Sequence, residues 1–149
     1  MVSEYRHRRR VEFADTDLAG IVHWSRFFVF MESCEHAFYR SIDYSVHMRE
    51  GERYIALPRG EVTCRYSRPL QFEDVVEIQL LVKEIREKTV TYDFIFRRVE
   101  PGPVEEVARA SLTVVCVAFE NEQIKSVPLP ERFRSQIEVA TDENQTRGE

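Results

Sequence analysis

The chain has 149 residues, 43% of them hydrophobic and 32% charged, a balance that suits one globular domain with a single core. At this length folding buries roughly 70% of the surface the unfolded chain exposes, so neither a disulfide nor a structural metal is needed. Lys plus Arg number 21 against 26 Asp plus Glu, and the formal charge of -5 argues against nucleic-acid binding. The longest apolar run, residues 114–119, falls far short of the about 20 residues a membrane helix needs. Cys34, Cys64 and Cys116 lie outside any C-x-x-C or zinc spacing and read as reduced, buried side chains. The basic start, Arg6 and Arg8 to Arg10, leads into no apolar signal core, so the expected address is cytoplasmic.

Residues 5–13 alternate with period two: Tyr5, His7, Arg9, Val11 and Phe13 on one face, and Arg6, Arg8, Arg10 and Glu12 on the other. This predicts a strand with a mostly solvated arginine face. Residues 14–24 have no period and read as a loop. Ser25 is the candidate N-cap of a helix running to about residue 44, whose core stripe is Phe27, Phe30, Met31, Cys34 and Phe38. Further strands are expected over 54–66, interrupted near Pro58 and Gly60, then over 75–85, 89–98 and 104–119. A short amphipathic stretch follows over 131–139. The domain is set at 1–139, with 140–149 a polar, disordered tail. The order β-α-β-β-β-β with short connections predicts an α+β fold, with one antiparallel sheet curled around the long helix.

The polar run Asp15-Thr16-Asp17-Leu18-Ala19-Gly20 stands just before that helix. Asp15, Asp17 and Gly20 fit positions one, three and six of a calcium loop, but Ala19 and Arg26 occupy positions five and twelve, which excludes it. One reading has both aspartates satisfying backbone N–H groups in the loop. The other is chemical. Gly20 lets the backbone approach a ligand, and the helix start aims unpaired N–H groups that stabilise an oxyanion. A neighbouring carboxylate could attack a carbonyl carbon or activate water to do so. His36 follows Glu32 by one helical turn without a third ligand in view, so no metal site is expected.

The run from Phe13 through Asp15-Thr16-Asp17-Leu18-Ala19-Gly20-Ile21-Val22-His23-Trp24 to Phe28 resembles the signature of the 4-hydroxybenzoyl-CoA thioesterase-like branch of hotdog-fold acyl-CoA thioesterases. The resemblance extends through Tyr66-Ser67-Arg68-Pro69-Leu70, Asp74 and Val114-Val115-Cys116-Val117, over roughly residues 5–138. It implies a hotdog fold, in which a long helix lies in the curl of an antiparallel sheet. It also implies hydrolysis of an acyl-CoA thioester to a carboxylic acid and coenzyme A without a cofactor. Asp17 matches the family's catalytic carboxylate, as nucleophile or as general base, and the Trp24 backbone N–H matches its carbonyl-polarising donor. Gly20 and His23 are expected to shape the pocket, and Arg86 and Lys88 to hold coenzyme A phosphates.

The same resemblance implies that active sites form between copies, as a homodimer or homotetramer. Asp17 would serve equally on a carrier-protein thioester, and an acyl-CoA-binding protein without catalysis is the second rival.

Overall fold

The computed structural model describes residues 1–142; residues 143–149 of the expected tail lie outside the described residues. Among the described residues nine strands and two helices form an α+β fold with two antiparallel sheets. The larger sheet has the order β1-β5-β6-β7-β4, built from β1 (Glu4–Arg10), β4 (Arg59–Tyr66), β5 (Val75–Ile85), β6 (Thr89–Glu100) and β7 (Glu105–Val115). The smaller has the order β2-β3-β8-β9, from β2 (His47–Glu50), β3 (Arg53–Ala56), β8 (Val117–Glu120) and β9 (Gln123–Ser126). The long helix α1 (Arg26–Ser41) packs across β1 and β5. The hotdog architecture expected from the resemblance is therefore present, with a second small sheet that alternation did not predict. No helix among the described residues is long and apolar enough to cross a membrane.

The α1 stripe is buried as expected: Phe30, Cys34 and Phe38 are fully enclosed, and Phe27 and Met31 nearly so. Its rings meet those of the sheet, Phe27 on Phe96 at 5.5 Å and Phe38 on Tyr92 at 5.9 Å between centroids. On β5, Val76, Ile78, Leu80 and Val82 face this core, all fully buried. The helix ends three residues earlier than expected. Asp43 takes a left-handed φ of 54°, and Tyr44 N–H and Asp43 N–H close back onto the carbonyls of Tyr39 and Arg40 at 2.8 and 3.1 Å. This is a Schellman stop with Asp where Gly is usual, sealed by the Tyr39–Tyr44 ring contact.

Further expectations are corrected. The first strand stops at Arg10, because the Asp15 carboxylate accepts the Glu12 N–H at 2.8 Å and turns residues 13–15 into a 3-10 turn. Phe13 is consequently exposed. The arginine face is also less solvated than alternation implies: Arg6 and Arg8 both pair with Glu77, at 2.7 and 3.2 Å. Residues 54–66 form two strands in different sheets, since Pro58 interrupts them. Gly60 lies where an added Cβ would stand 2.9 Å from Val115, so β4 and β7 touch closely there. Finally, 104–119 divides at Cys116 into β7 and β8, where the chain passes from the large sheet to the small one. The amphipathic stretch at 131–139 yields only the single turn α2 (Glu131–Arg134). Ala140, the first tail residue, is tied by its N–H to the Val82 carbonyl at 2.8 Å.

Candidate active site

The loop between β1 and α1 is stitched to the entrance of β5 by backbone hydrogen bonds. Val11 N–H donates to Asp74 O at 2.8 Å, Glu73 N–H to Val11 O at 3.0 Å, and Val22 N–H to Leu70 O at 2.8 Å. Inside it, Asp15 is fully buried. Its carboxylate takes the Glu12 N–H on one oxygen and the Arg26 Nε and Nη2 on the other, at 2.8 and 2.7 Å. Arg9 approaches the same oxygen at 3.7 Å while its guanidinium lies 4.7 Å over the Phe30 ring. Asp15 is therefore a structural carboxylate that ties the loop to the first helical turn.

Asp17 differs. It is exposed, and one oxygen accepts the Ala19 N–H at 2.8 Å in an Asx turn. The other oxygen accepts nothing from the described residues. Gly20 closes the turn by donating to Asp17 O at 3.0 Å, with a φ of 79° that L side chains rarely adopt. Asp17 stands on a cleft of about 490 Å³, formed on one side by Asp17, Ile21, Val22, Trp24 and Phe27 and on the other by residues 66–69. Trp24 precedes the N-cap, and its N–H has no acceptor among the described residues. The structure thus brings Asp17 and Trp24 to one cleft.

The remaining expected residues stand elsewhere. Gly20 shapes the turn without lining the cleft. His23 also lies outside the lining: its Nδ1 is 2.7 Å from the Ser25 hydroxyl and its ring 5.4 Å from that of Trp24. That contact engages the Ser25 side chain, which accordingly makes no N-cap hydrogen bond. Arg86 and Lys88 sit in the β5–β6 hairpin at the far end of the strands, roughly 33 Å along β5 from the cleft. Arg86 is paired there with Glu84. A second hollow of about 530 Å³ lies on the outer sheet face, around Thr63, Arg65, Lys83, Asp93 and Arg109, and contains none of the expected residues.

Sequence reading missed Tyr66. Its hydroxyl donates to the Trp24 carbonyl at 2.9 Å and its ring meets Phe27 edge-on at 5.1 Å. Burial, reinforced by a hydrogen bond with Cys64, pushes this hydroxyl up to about 12. Alternation set Tyr66 on the same face as Val62 and Cys64, yet nothing in the chain links it to a residue 42 positions earlier.

The profile of the thioesterase-like superfamily matches residues 11–137. A presumed esterase of Aquifex aeolicus is 32% identical over 82% of this chain and 90% of its own. A 1,4-dihydroxy-2-naphthoyl-CoA hydrolase of a Picosynechococcus strain is 29% identical over 73% of this chain and 75% of its own. Among solved structures, the 4-hydroxybenzoyl CoA thioesterase of Pseudomonas sp. strain CBS-3 shares the fold with a TM-score of 0.78 at 20% identity, covering 90% of this chain and 99% of that one. The chain belongs to the thioesterase-like superfamily and is a thioester hydrolase of the hotdog fold.

Proposed function

We propose that the protein hydrolyses acyl-CoA thioesters to the carboxylic acid and coenzyme A, with Asp17 and the Trp24 N–H as its reacting groups. One observation carries this reading: a carboxylate oxygen and a backbone donor, each without a partner among the described residues, stand on the same cleft. The thioester carbonyl binds with its oxygen toward the Trp24 N–H. In the general-base route Asp17 takes a proton from water as the water oxygen bonds to the carbonyl carbon; charge gathers on the carbonyl oxygen, held by the Trp24 N–H. The C–S bond then breaks, and the thiolate leaves to take up a proton. In the nucleophilic route the free Asp17 oxygen bonds to the carbon, the thiolate departs, and water opens the resulting anhydride. A single turnover in ¹⁸O-water separates the two, because water attacking the anhydride at the Asp17 carbonyl leaves label in that side chain.

The faces of Trp24, Phe27 and Tyr66 favour a flat aromatic acyl group. Relatives named as 1,4-dihydroxy-2-naphthoyl-CoA hydrolases support the same class. The test is thiol release across benzoyl-, hydroxybenzoyl-, phenylacetyl- and straight-chain acyl-CoA. Aryl thioesters are expected to give the highest kcat/KM, and no turnover of any member would overturn the proposal.

The homodimer reading rests on β4, one of the two edge strands of the large sheet. Antiparallel pairing of two β4 strands about a two-fold axis sets the Arg59 end of one beside the Tyr66 end of the other. The partner copy's β5–β6 hairpin then stands three to four strand spacings away, roughly 15–19 Å, instead of the much longer reach along a single chain. This supports a homodimer in which Arg86 and Lys88 of one copy hold the coenzyme A phosphates of a thioester bound at Asp17 of the other.

A further inference from the structure

Trp24 lies between two peptide planes, and its N–H is directed by how both are held. The plane before it contains the His23 carbonyl, which accepts the Arg26 N–H at 2.9 Å. The plane after it contains the Trp24 carbonyl, and here the helix offers nothing: Phe28 N–H donates to Ser25 O at 3.2 Å instead. The hydroxyl of Tyr66 supplies the donor the backbone does not, at 2.9 Å. The indole is a poor anchor, since Trp24 is 61% exposed and its ring contacts among the described residues are with His23 and Phe28. Tyr66 is 42% exposed, but both its backbone and its ring have partners. It ends β4 opposite Ala108 of β7, and its ring is held edge-on by the buried Phe27.

We infer that Tyr66 is a positioning residue for hydrolysis: its hydroxyl holds the Trp24 carbonyl, in the peptide plane after Trp24, and so restricts the rotation at Trp24 Cα that would turn the preceding plane, with the Trp24 N–H, away from the developing oxyanion. The inference rests on the thioesterase reading above and adds to it the residue that keeps the oxyanion donor in place. Tyr66 acts on Trp24, not on the substrate. By the same bond it ties the helix start to the opposite wall of the cleft, so that one hydroxyl sets both donor direction and cleft width. Outright loss of an oxyanion donor lowers kcat by ~10²–10³. A donor that remains but is no longer held loses less, about tenfold.

The test is Tyr66→Phe, which keeps the ring and removes the hydroxyl, beside Tyr54→Phe in β3 as control. Trp24 is the single tryptophan of the chain, so its emission reports this one position. The expected result is a fall in kcat of about tenfold with KM within about twofold, an unchanged melting temperature, and faster acrylamide quenching of Trp24. Tyr54→Phe should match the wild type throughout. An unchanged kcat in Tyr66→Phe overturns the role of Tyr66 while leaving the thioesterase reading intact. So does a lower kcat with unaltered quenching, because the hydroxyl would then act on the substrate directly. A wild-type protein inactive on every thioester overturns the thioesterase reading itself.

Discussion

Asp15 and Asp17 stand two residues apart in one loop and meet opposite environments. Asp15 is enclosed with two arginines and a backbone donor, so Asp15→Ala leaves those groups unsatisfied and should cost about 2 kcal/mol in a urea or thermal melt. Asp17 accepts one backbone N–H, and its other oxygen meets no donor among the described residues, so it has little structural duty. Asp17→Asn should therefore melt like the wild type while losing ~10²–10⁴ in kcat on the best acyl-CoA. The sequence showed that backbone satisfaction was one role open to these aspartates, and the family resemblance singled out Asp17. The ion pair of Asp15 with Arg26 was not legible, because helical periodicity assigns Arg26 to the solvated side. His7 yields a pH prediction. Burial, with the Arg40 and Arg9 charges nearby, holds its imidazole below the ordinary value of 6.5. The native state then resists a proton that the unfolded chain accepts, so this contribution is full above pH 6.5 and is lost as pH falls through the depressed native value. Melting temperatures recorded from pH 7.5 down to 5 should decline less steeply for His7→Gln than for the wild type.

Helix α1 and strand β4 are clamped by a charge pair that the helical pattern alone does not reveal. Glu35 is fully buried, accepts both Arg59 Nη atoms at 2.9 and 2.7 Å, and takes the Tyr39 hydroxyl at 3.0 Å, with Tyr92 next in the chain of hydroxyls. Removing the cation strands a buried carboxylate, so Arg59→Ala should lower stability by about 3 kcal/mol in denaturant titration. Glu35 lies off the apolar stripe of Phe27, Phe30, Met31, Cys34 and Phe38, so helical spacing gives no sign of its burial. Only the strand that closes over it makes that position interior. The strands β5 and β6 were legible almost to the residue, since long alternation with a tight hairpin leaves few choices. By contrast β2, β3, β8 and β9 have four residues each, too few to show a period. The hairpin between β8 and β9 uses Asn121 and Glu122 at φ 50° and 61°, and Glu is a poor signal for such a turn.

Across the whole molecule, the large sheet is open at β4, and the cleft lies at one end of that edge. A paired assembly predicts a mass in solution that is a multiple of 17.7 kDa by light scattering. If the hairpin of one copy grips the coenzyme of the other, replacing both Arg86 and Lys88 with Ala should raise KM for CoA thioesters several-fold with kcat nearly constant. The long helix in a curled sheet was readable from the order of elements, whereas the pairing of the β4 edge was not, because sheet edges carry no pattern that names a partner. The stitching of residues 11–25 to the start of β5 bears on the thermodynamics of recognition. A segment whose amides are already engaged has little conformational entropy left to surrender when an acyl group arrives. Deuterium uptake at Val11, Val22 and His23 should accordingly be slow with or without a non-hydrolysable thioether analogue. The Trp24 amide should exchange quickly in the free protein and become protected only when a carbonyl oxygen arrives to accept it.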